Sequence, residues 1–412
     1  MKDQPLTSPF GEVHIETSDA EEAFAQLVGL AYRLHASDLY ILTDEREVAV
    51  FVRHLGIIKP VTVFDRTVGK RIINYLKAIA EMDLVQTQHP QDGRLVYAVD
   101  EEASIDLRIN TIPTLYGEDM SLRLLSRELA LLGLDNLGLR RSDLANLKGL
   151  LNSPGGLLLV TGPSGAGKTT TLYASLNYLH NGSRKINTIE DPVEYAIRGI
   201  RQSAVNPHVK LDFPEVLRSV LRQSPDVIMV GEIRDPVTAE TAVRAANTGH
   251  LVLATLHAPV AAAAVDSILA LGVHPHFLST CLLGVLTQRL VRTLCLECRT
   301  AFDISDSPHT FDDIRDHLEG EQGQYIYSAP GCSACYQNGY SGRTAVFEVL
   351  RSSREIRRLI AEGATVRQIR DAAVAEGMLD MRRSALLKVA EGITSTEEVI
   401  RVIPTEHLDP EA

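Results

Sequence analysis

Apolar and polar positions alternate in two different ways along this 412-residue chain. In the first third, "AEEAFAQLVGLAYRLHA" and "TVGKRIINYLKAIAEM" repeat their apolar residues at helical spacing. Between and after them, "DLYILTD", "EVAVFVRHL", "RLVYAVD", "IDLRINTIP" and "EDMSLRLLS" alternate with period two, as strands of an antiparallel sheet do. This part is expected to be a small α+β domain over residues 23–130, behind a loose tail at 1–22. Residues 131–150 look like a linker. From 151 the pattern changes. "LLLVTG", "INTIED", "DVIMVGE" and "HLVLATL" are short, almost wholly apolar runs separated by helical segments. Strands buried on both faces and alternating with helices predict a parallel sheet, hence an α/β domain over 151–404, with a short tail at 405–412.

The run "HLVLATLH" carries a histidine at each end, His250 and His257. As a strand rising about 3.3 Å per residue it holds them roughly 23 Å apart, too far to share a metal. In an open parallel sheet ligands bind outside the carboxyl ends of the strands. His257 stands at that end and is a candidate functional residue; His250 stands at the other and is expected to be structural.

Composition narrows the class. Hydrophobic residues make up 45 % and charged ones 23 %, the balance of an ordinary globular protein. No apolar run approaches the length of a membrane span, and the first residues have neither the basic start nor the apolar core of a signal peptide, so a cytosolic protein is expected. The net charge of −12 argues against a general nucleic-acid binder.

"GPSGAGKT" fits the phosphate-binding G-x-x-x-x-G-K-[ST] pattern in full and lies between a buried strand and a helix, as that loop requires. Gly162, Pro163, Ser164, Gly165, Ala166 and Gly167 would wrap phosphates with backbone N–H groups, and Lys168 would reach the β/γ-phosphates. Thr169, followed by Thr170, would bring its hydroxyl to Mg²⁺ at the positive end of the helix. A second carboxylate site is expected at Glu232, which ends an apolar strand; Gly231 occupies the place where an aspartate usually stands, so Glu232 would serve the magnesium through water. "IEDPVE" adds Glu190, Asp191 and Glu194 after another strand, facing Mg²⁺ or polarising a water. These residues alone leave Glu190 and Glu194 both open as the catalytic base.

Taken together, "GPSGAGKTTTLYASL", "TIEDPVEY", "LRQSPDVIMVGEIRDPVTAETAVRAANTGHLVLATLH", "ASDLYI" and "PQDGRLVY" resemble the secretion ATPases of type II secretion and type IV pilus assembly, over residues 25–405 or so. The resemblance implies a hexameric motor with a RecA-like P-loop ATPase domain behind a PAS-like domain, hydrolysing ATP with Mg²⁺. It implies Glu194 as the base that activates water. It also implies that ATP is held between the two domains, with Arg108 of "LRINTIP" and Arg123 of "LRLL" facing the γ-phosphate. The implied partners are five further copies of the chain and a polytopic inner-membrane platform protein. That places the motor peripherally at the cytoplasmic face of the membrane, with no direct nucleic-acid partner. Type IV pilus, type II secretion pseudopilus and DNA-uptake pseudopilus remain open; the short N-terminus favours a simpler machine of the last kind. Outside the class, a RecA-like nucleic-acid motor is the rival, and a nucleotide-binding scaffold without turnover is opposed by Lys168, Glu194 and Glu232. Two departures stand out: Tyr40 replaces the family's histidine in "ASDLY", and Ala258, Pro259 and Val260 replace "TND" after His257.

Cys295-x-x-Cys298 and Cys332-x-x-Cys335 lie within a region, 290–340, that is too polar to build much core. Two such pairs in a cytosolic chain predict a four-thiolate structural zinc site. Two redox pairs are the alternative, without the surrounding thioredoxin-like pattern. In the family resembled, this knuckle marks assembly and secretion motors rather than retraction motors. Cys281, in "LSTCLLGVL", is expected in the core.

Overall fold

The computed structural model describes residues 19–100, 103–125, 132–206, 209, 211–307 and 309–407. Most of both expected tails lies outside them. Contacts divide the chain into one compact unit of Met1–Glu128 together with Gly331–Asn338 and another of Leu129–Pro330 and Gly339–Ala412.

The first unit runs α1 (Ala20–Arg33), β1 (Asp38–Thr43), β2 (Glu47–His54), β3 (Ile57–Asp65), α2 (Arg66–Ile79), β4 (Gln91–Ala98), β5 (Ser104–Pro113) and β6 (Glu118–Leu125). Asp19 and Asp65 cap the two helices, accepting N–H bonds of 2.9 Å from Glu21 and 2.8 Å from Thr67. The strands form an antiparallel sheet in the order β3-β2-β1-β6-β5-β4. Their alternation buries Leu39, Ile41, Val48, Val50, Leu107, Ile109, Met120 and Leu122 with Phe24, Leu27, Ile72 and Leu76 of the helices. Pro60 hides β3 from the sequence pattern; the strand tolerates it because it is an edge.

The second unit begins where a linker was expected. Leucines at helical spacing instead build α3 (Arg141–Leu151), whose Leu147 and Leu151 are fully buried. There follow β7 (Gly156–Thr161), α4 (Lys168–Leu179), β8 (Ile186–Glu190), β9 (Arg201–Ala204), α5 (Phe213–Leu221), β10 (Val227–Val230), α6 (Pro236–Asn247), β11 (Leu251–Leu256), α7 (Ala261–Ala270), α8 (Pro275–Cys281) and β12 (Leu282–Leu294). A hairpin of β13 (Thr300–Asp303) and β14 (Tyr325–Ser328) precedes β15 (Tyr340–Arg351). Four α-helices follow, α9 (Arg354–Glu362), α10 (Val366–Ala375), α11 (Met381–Ala390) and α12 (Thr396–Val402), before a 3-10 turn at Thr405–His407. The seven-stranded sheet has the order β15-β12-β7-β11-β10-β8-β9. Every neighbouring pair in it is parallel except β12 with β15. Helices cover both faces, which is why β7, β10 and β11 are buried at every residue. Cys281 is buried as expected, and burial pushes its thiol up to about 12.

Candidate nucleotide and metal sites

Because β7, β11, β10 and β8 run parallel and adjacent, their carboxyl ends share one edge of the sheet. The loop 162–167 leaves β7 at that edge. Gly162, Gly165 and Gly167 turn with φ of 140°, 75° and 87°, a region that favours glycine. At Gly162 a Cβ would also stand 2.3 Å from the carbonyl oxygen of Gln288. Lys168 opens α4 and folds back, its Nζ donating to the carbonyl oxygens of Gly162 at 2.8 Å and Pro163 at 3.1 Å. Burial lowers the lysine's pKa, and the charge of Glu232 opposes that. Pro163, Ser164 and Gly165 are exposed, so the loop opens to solvent; Thr169 and Thr170 follow Lys168 in the first turn of α4.

Gln288 of β12 had no signal in the sequence beyond its place in an apolar strand. Its side chain donates to the Ala166 carbonyl at 2.7 Å and accepts from the Thr171 hydroxyl at 2.8 Å. One amide thus ties the phosphate loop to the helix that follows it.

Glu232, just beyond β10, meets Arg234 at 2.5 Å and His257 Nε2 at 3.0 Å. Burial acts to raise its carboxyl. The bond to Arg234 and the charges of Arg234, His257 and Lys168 outweigh it and hold the group below the ordinary range. The strand ends therefore gather a lysine, a carboxylate and a histidine. His250 lies at the far end of β11, where its Nδ1 bonds the Ala245 carbonyl at 3.0 Å and closes the last turn of α6.

The acidic cluster at the end of β8 is divided. Glu190 is 3 % exposed and accepts from the hydroxyls of Tyr173 and Thr188 and from Gln202 Nε2 at 3.1 Å. Both its oxygens are engaged within the fold. Asp191 is exposed; the Arg234 guanidinium is held above its ordinary range first by its bond to Glu232, with the charge of Asp191 adding to it, and Glu194 is half-buried.

In the first unit, Arg108 of β5 stands directly opposite Arg123 of β6. The same cross-strand row contains Arg94 of β4, opposite Arg108, and Asp38 of β1, opposite both Arg123 and Arg53 of β2. Residues paired this way share a face, here the one away from the helices. Asp38 pairs with Arg123 at 3.3 Å and Arg53 at 3.4 Å, and Asp106 pairs with Arg94. Arg94 and Arg53 escaped the sequence reading because register, not motif, puts them in the row.

The four thiols of Cys295, Cys298, Cys332 and Cys335 converge within 4.8 Å of one another. Zn–S bonds of about 2.3 Å in a tetrahedron put sulfurs about 3.8 Å apart. Cys332 and Cys335 have their sulfurs 3.8 Å apart, and the Cys332 N–H donates to Cys335 Sγ at 3.2 Å. The donor set and the spacing fit a structural zinc ion.

A glycine-turned phosphate loop at the carboxyl edge of a parallel sheet, with a carboxylate and a histidine from the adjoining strands, defines a P-loop ATPase. The family model "Type II/IV secretion system protein" matches residues 16–401, and the chain belongs to that family. It is 41 % identical to the type II secretion system protein HxcR of Pseudomonas aeruginosa, over 94 % of this chain and 79 % of that protein. It is 40 % identical to the type II secretion system protein E of Dickeya dadantii, over 91 % and 74 %. The type IV pilus assembly ATPase PilB of Thermus thermophilus is 37 % identical over 94 % of this chain, which spans 43 % of PilB. Among solved structures, the pilus retraction motor PilT with bound ADP superposes with a TM-score of 0.63 at 26 % identity, covering 94 % of this chain and 97 % of PilT. The protein is thus an ATPase of the secretion and pilus-assembly class. No helix among the described residues is long and apolar enough to cross a membrane.

Proposed function

We propose that this chain works as a hexameric motor at the cytoplasmic face of a membrane. There, ATP hydrolysis moves a polytopic platform protein and so feeds pilin-like subunits into a pilus or secretion pseudopilus. The observation that carries the catalytic part is the convergence of Lys168, Glu232 and His257 at one edge of the sheet. The glycine loop binds the phosphates and Lys168 meets their charge. Thr169 and Glu232 hold Mg²⁺, which supplies positive charge for the phosphoryl oxygens, while Asp191 lies at the rim. Glu194 activates the water, since both oxygens of Glu190 are already bonded. Arg108 and Arg123 contribute the remaining positive charge from the first unit.

Steady-state ATPase measurements test the reading. The purified chain should hydrolyse ATP, respond to vesicles containing acidic lipid, and ignore single-stranded DNA. Stimulation by DNA and not by lipid would instead identify a nucleic-acid motor. Lys168→Ala should abolish turnover, because the lysine's charge stabilises the transferring phosphoryl group.

The histidines separate catalysis from packing. A hydrogen bond to a charged group is worth about 1.5–3 kcal/mol, or roughly ten- to a hundredfold in rate when it acts in catalysis. His257→Ala should lose that much kcat at an unchanged melting temperature. His250→Ala should keep its kcat and melt a few degrees lower, having lost the bond to Ala245. Equal catalytic losses without a change in melting would refute the distinction.

One zinc per chain is expected by metal analysis under reducing conditions. Structural zinc binding is worth about 10–16 kcal/mol in small sites. Chelation should therefore unfold the 295–340 region locally, read as new protease cleavage there. Protein with free thiols and no zinc would defeat the assignment.

A further inference from the structure

Glu348 is the least expected acidic residue in the second unit, and burial pushes its carboxyl up to about 7. It sits in "AVFEVL" of β15, where every residue from Ala345 to Leu350 is buried, and it is itself 1 % exposed. A carboxylate taken out of water is costly unless something specific holds it. Its Oε1 accepts the backbone N–H of Ala261, the first residue of α7, at 3.0 Å. One side chain thus ties down the start of α7.

For α7 this tie replaces a cap that its own loop cannot provide. Its N-cap residue is Val260, and no side chain of the loop bonds the first turn. Valine is among the poorest residues at that position, where aspartate, asparagine and serine lead. Ala258–Val260 is also all that separates α7 from His257. Across the sheet, Glu348 lies opposite Thr287, Thr287 opposite Thr161, and Thr161 opposite Leu256. The hydroxyls of Thr161 and Thr287 bond at 2.6 Å. Thr161 immediately precedes the phosphate loop and Leu256 immediately precedes His257. Glu348 therefore stands level with the points where both catalytic loops leave the sheet, and it holds the far end of one of them.

We propose that Glu348 is a positioning residue for ATP hydrolysis: by anchoring the start of α7 it fixes the turn 258–260 and so holds His257 against Glu232. This rests on the catalytic role assigned to His257 above. Without the anchor, α7 loses a bond at its first residue and the turn gains freedom. Small displacements of a catalytic group are enough to cost up to about a hundredfold in rate.

The test is a set of full-length variants assayed for kcat, KM for ATP and melting temperature. Glu348→Leu should lower kcat about tenfold or more and leave KM within about threefold, a split expected of lost positioning rather than lost nucleotide binding. The loss should vanish in a His257→Ala background, where there is no histidine left to place. Val260→Asp, which gives the loop its own cap, should restore most of the rate to Glu348→Leu. In the wild-type background the same change should lower the rate, because it sets a second carboxylate beside Glu348. If Glu348→Leu does not fold, Glu348→Gln takes its place in the same cycle: it keeps an acceptor for Ala261 and should lose a few-fold in kcat, again only when His257 is present. A Glu348 variant that turns over at the wild-type rate, loses as much without His257 as with it, or is not rescued by Val260→Asp overturns the proposal alone. A His257→Ala protein at full rate overturns the role of His257 and the proposal with it.

Discussion

Replacing Arg108 or Arg123 by alanine should slow ATP hydrolysis by about 10³–10⁵ while nucleotide still binds and the protein stays folded. The expectation follows from what guanidinium does and from where these two sit. It stays charged at any working pH and forks onto two oxygens of a phosphate. Arg108 and Arg123 are cross-strand neighbours on the face of their sheet that the helices leave bare, and Arg94 extends the row. Arg123 is paired with Asp38 at 3.3 Å, but its side chain is 63 % exposed. Exposed pairs of this kind are worth about 0–1 kcal/mol, so a phosphate can take the place of Asp38 at little cost. The phosphate loop is untouched by either change, and neither guanidinium is part of the core of the first unit. Binding of a fluorescent nucleotide and steady-state turnover, measured on the same preparations, decide the matter. Full turnover in Arg108→Ala and Arg123→Ala would mean that the first unit takes no part in hydrolysis, and a motor working by motion between the units would fail with it.

Glu194→Gln should retain ATP and lose about 10²–10⁴ in kcat, the usual contribution of a general base. The amide fills the same space and leaves the phosphate loop, Lys168 and Glu232 as they are. Glu190→Gln makes the control. Its carboxylate accepts from Tyr173, Thr188 and Gln202 in a buried setting, and burial together with that bond raises the pKa of the Tyr173 hydroxyl. Putting an amide there should lower the melting temperature, since a buried acceptor becomes in part a donor facing hydroxyls and another amide. Wild-type turnover in Glu194→Gln, together with a collapse of kcat but not of melting in Glu190→Gln, would reverse the assignment.

Much of this was legible in the sequence. "GPSGAGKT", the carboxylates that follow β8 and β10, and the two C-x-x-C pairs are local motifs. Each works through residues close in the chain, with backbone geometry that glycine or a tight turn supplies. The apolar runs of β7, β10 and β11 are equally plain, because strands covered on both faces need no polar positions. The ends of β11 distinguished His257 from His250 for the same reason: a strand has a direction, and the parallel order of the sheet turns direction into place.

Other features became visible only once the chain was folded. Residues 131–150 read as a linker because their leucines are interleaved with glycine and charge, yet α3 buries Leu147 and Leu151. Pro60 concealed β3 until the strand was seen to be an edge. Glu190 and Glu194 are four residues apart and alike in sequence; only the partners brought by Tyr173 and Gln202 separate them. Gln288 and Glu348 belong to strands distant in sequence from the phosphate loop and α7, and nothing near them in the chain announces a role. By itself the sequence determined the chemistry available and the elements that carry it, since period, turn residues and motifs act over a few neighbouring positions. The tertiary structure decided which of those groups meet and which are consumed by the fold, because strand order, register and burial arise from contacts between residues on different elements, 12 positions apart for Gln202 and Glu190 and 122 for Gln288 and Ala166.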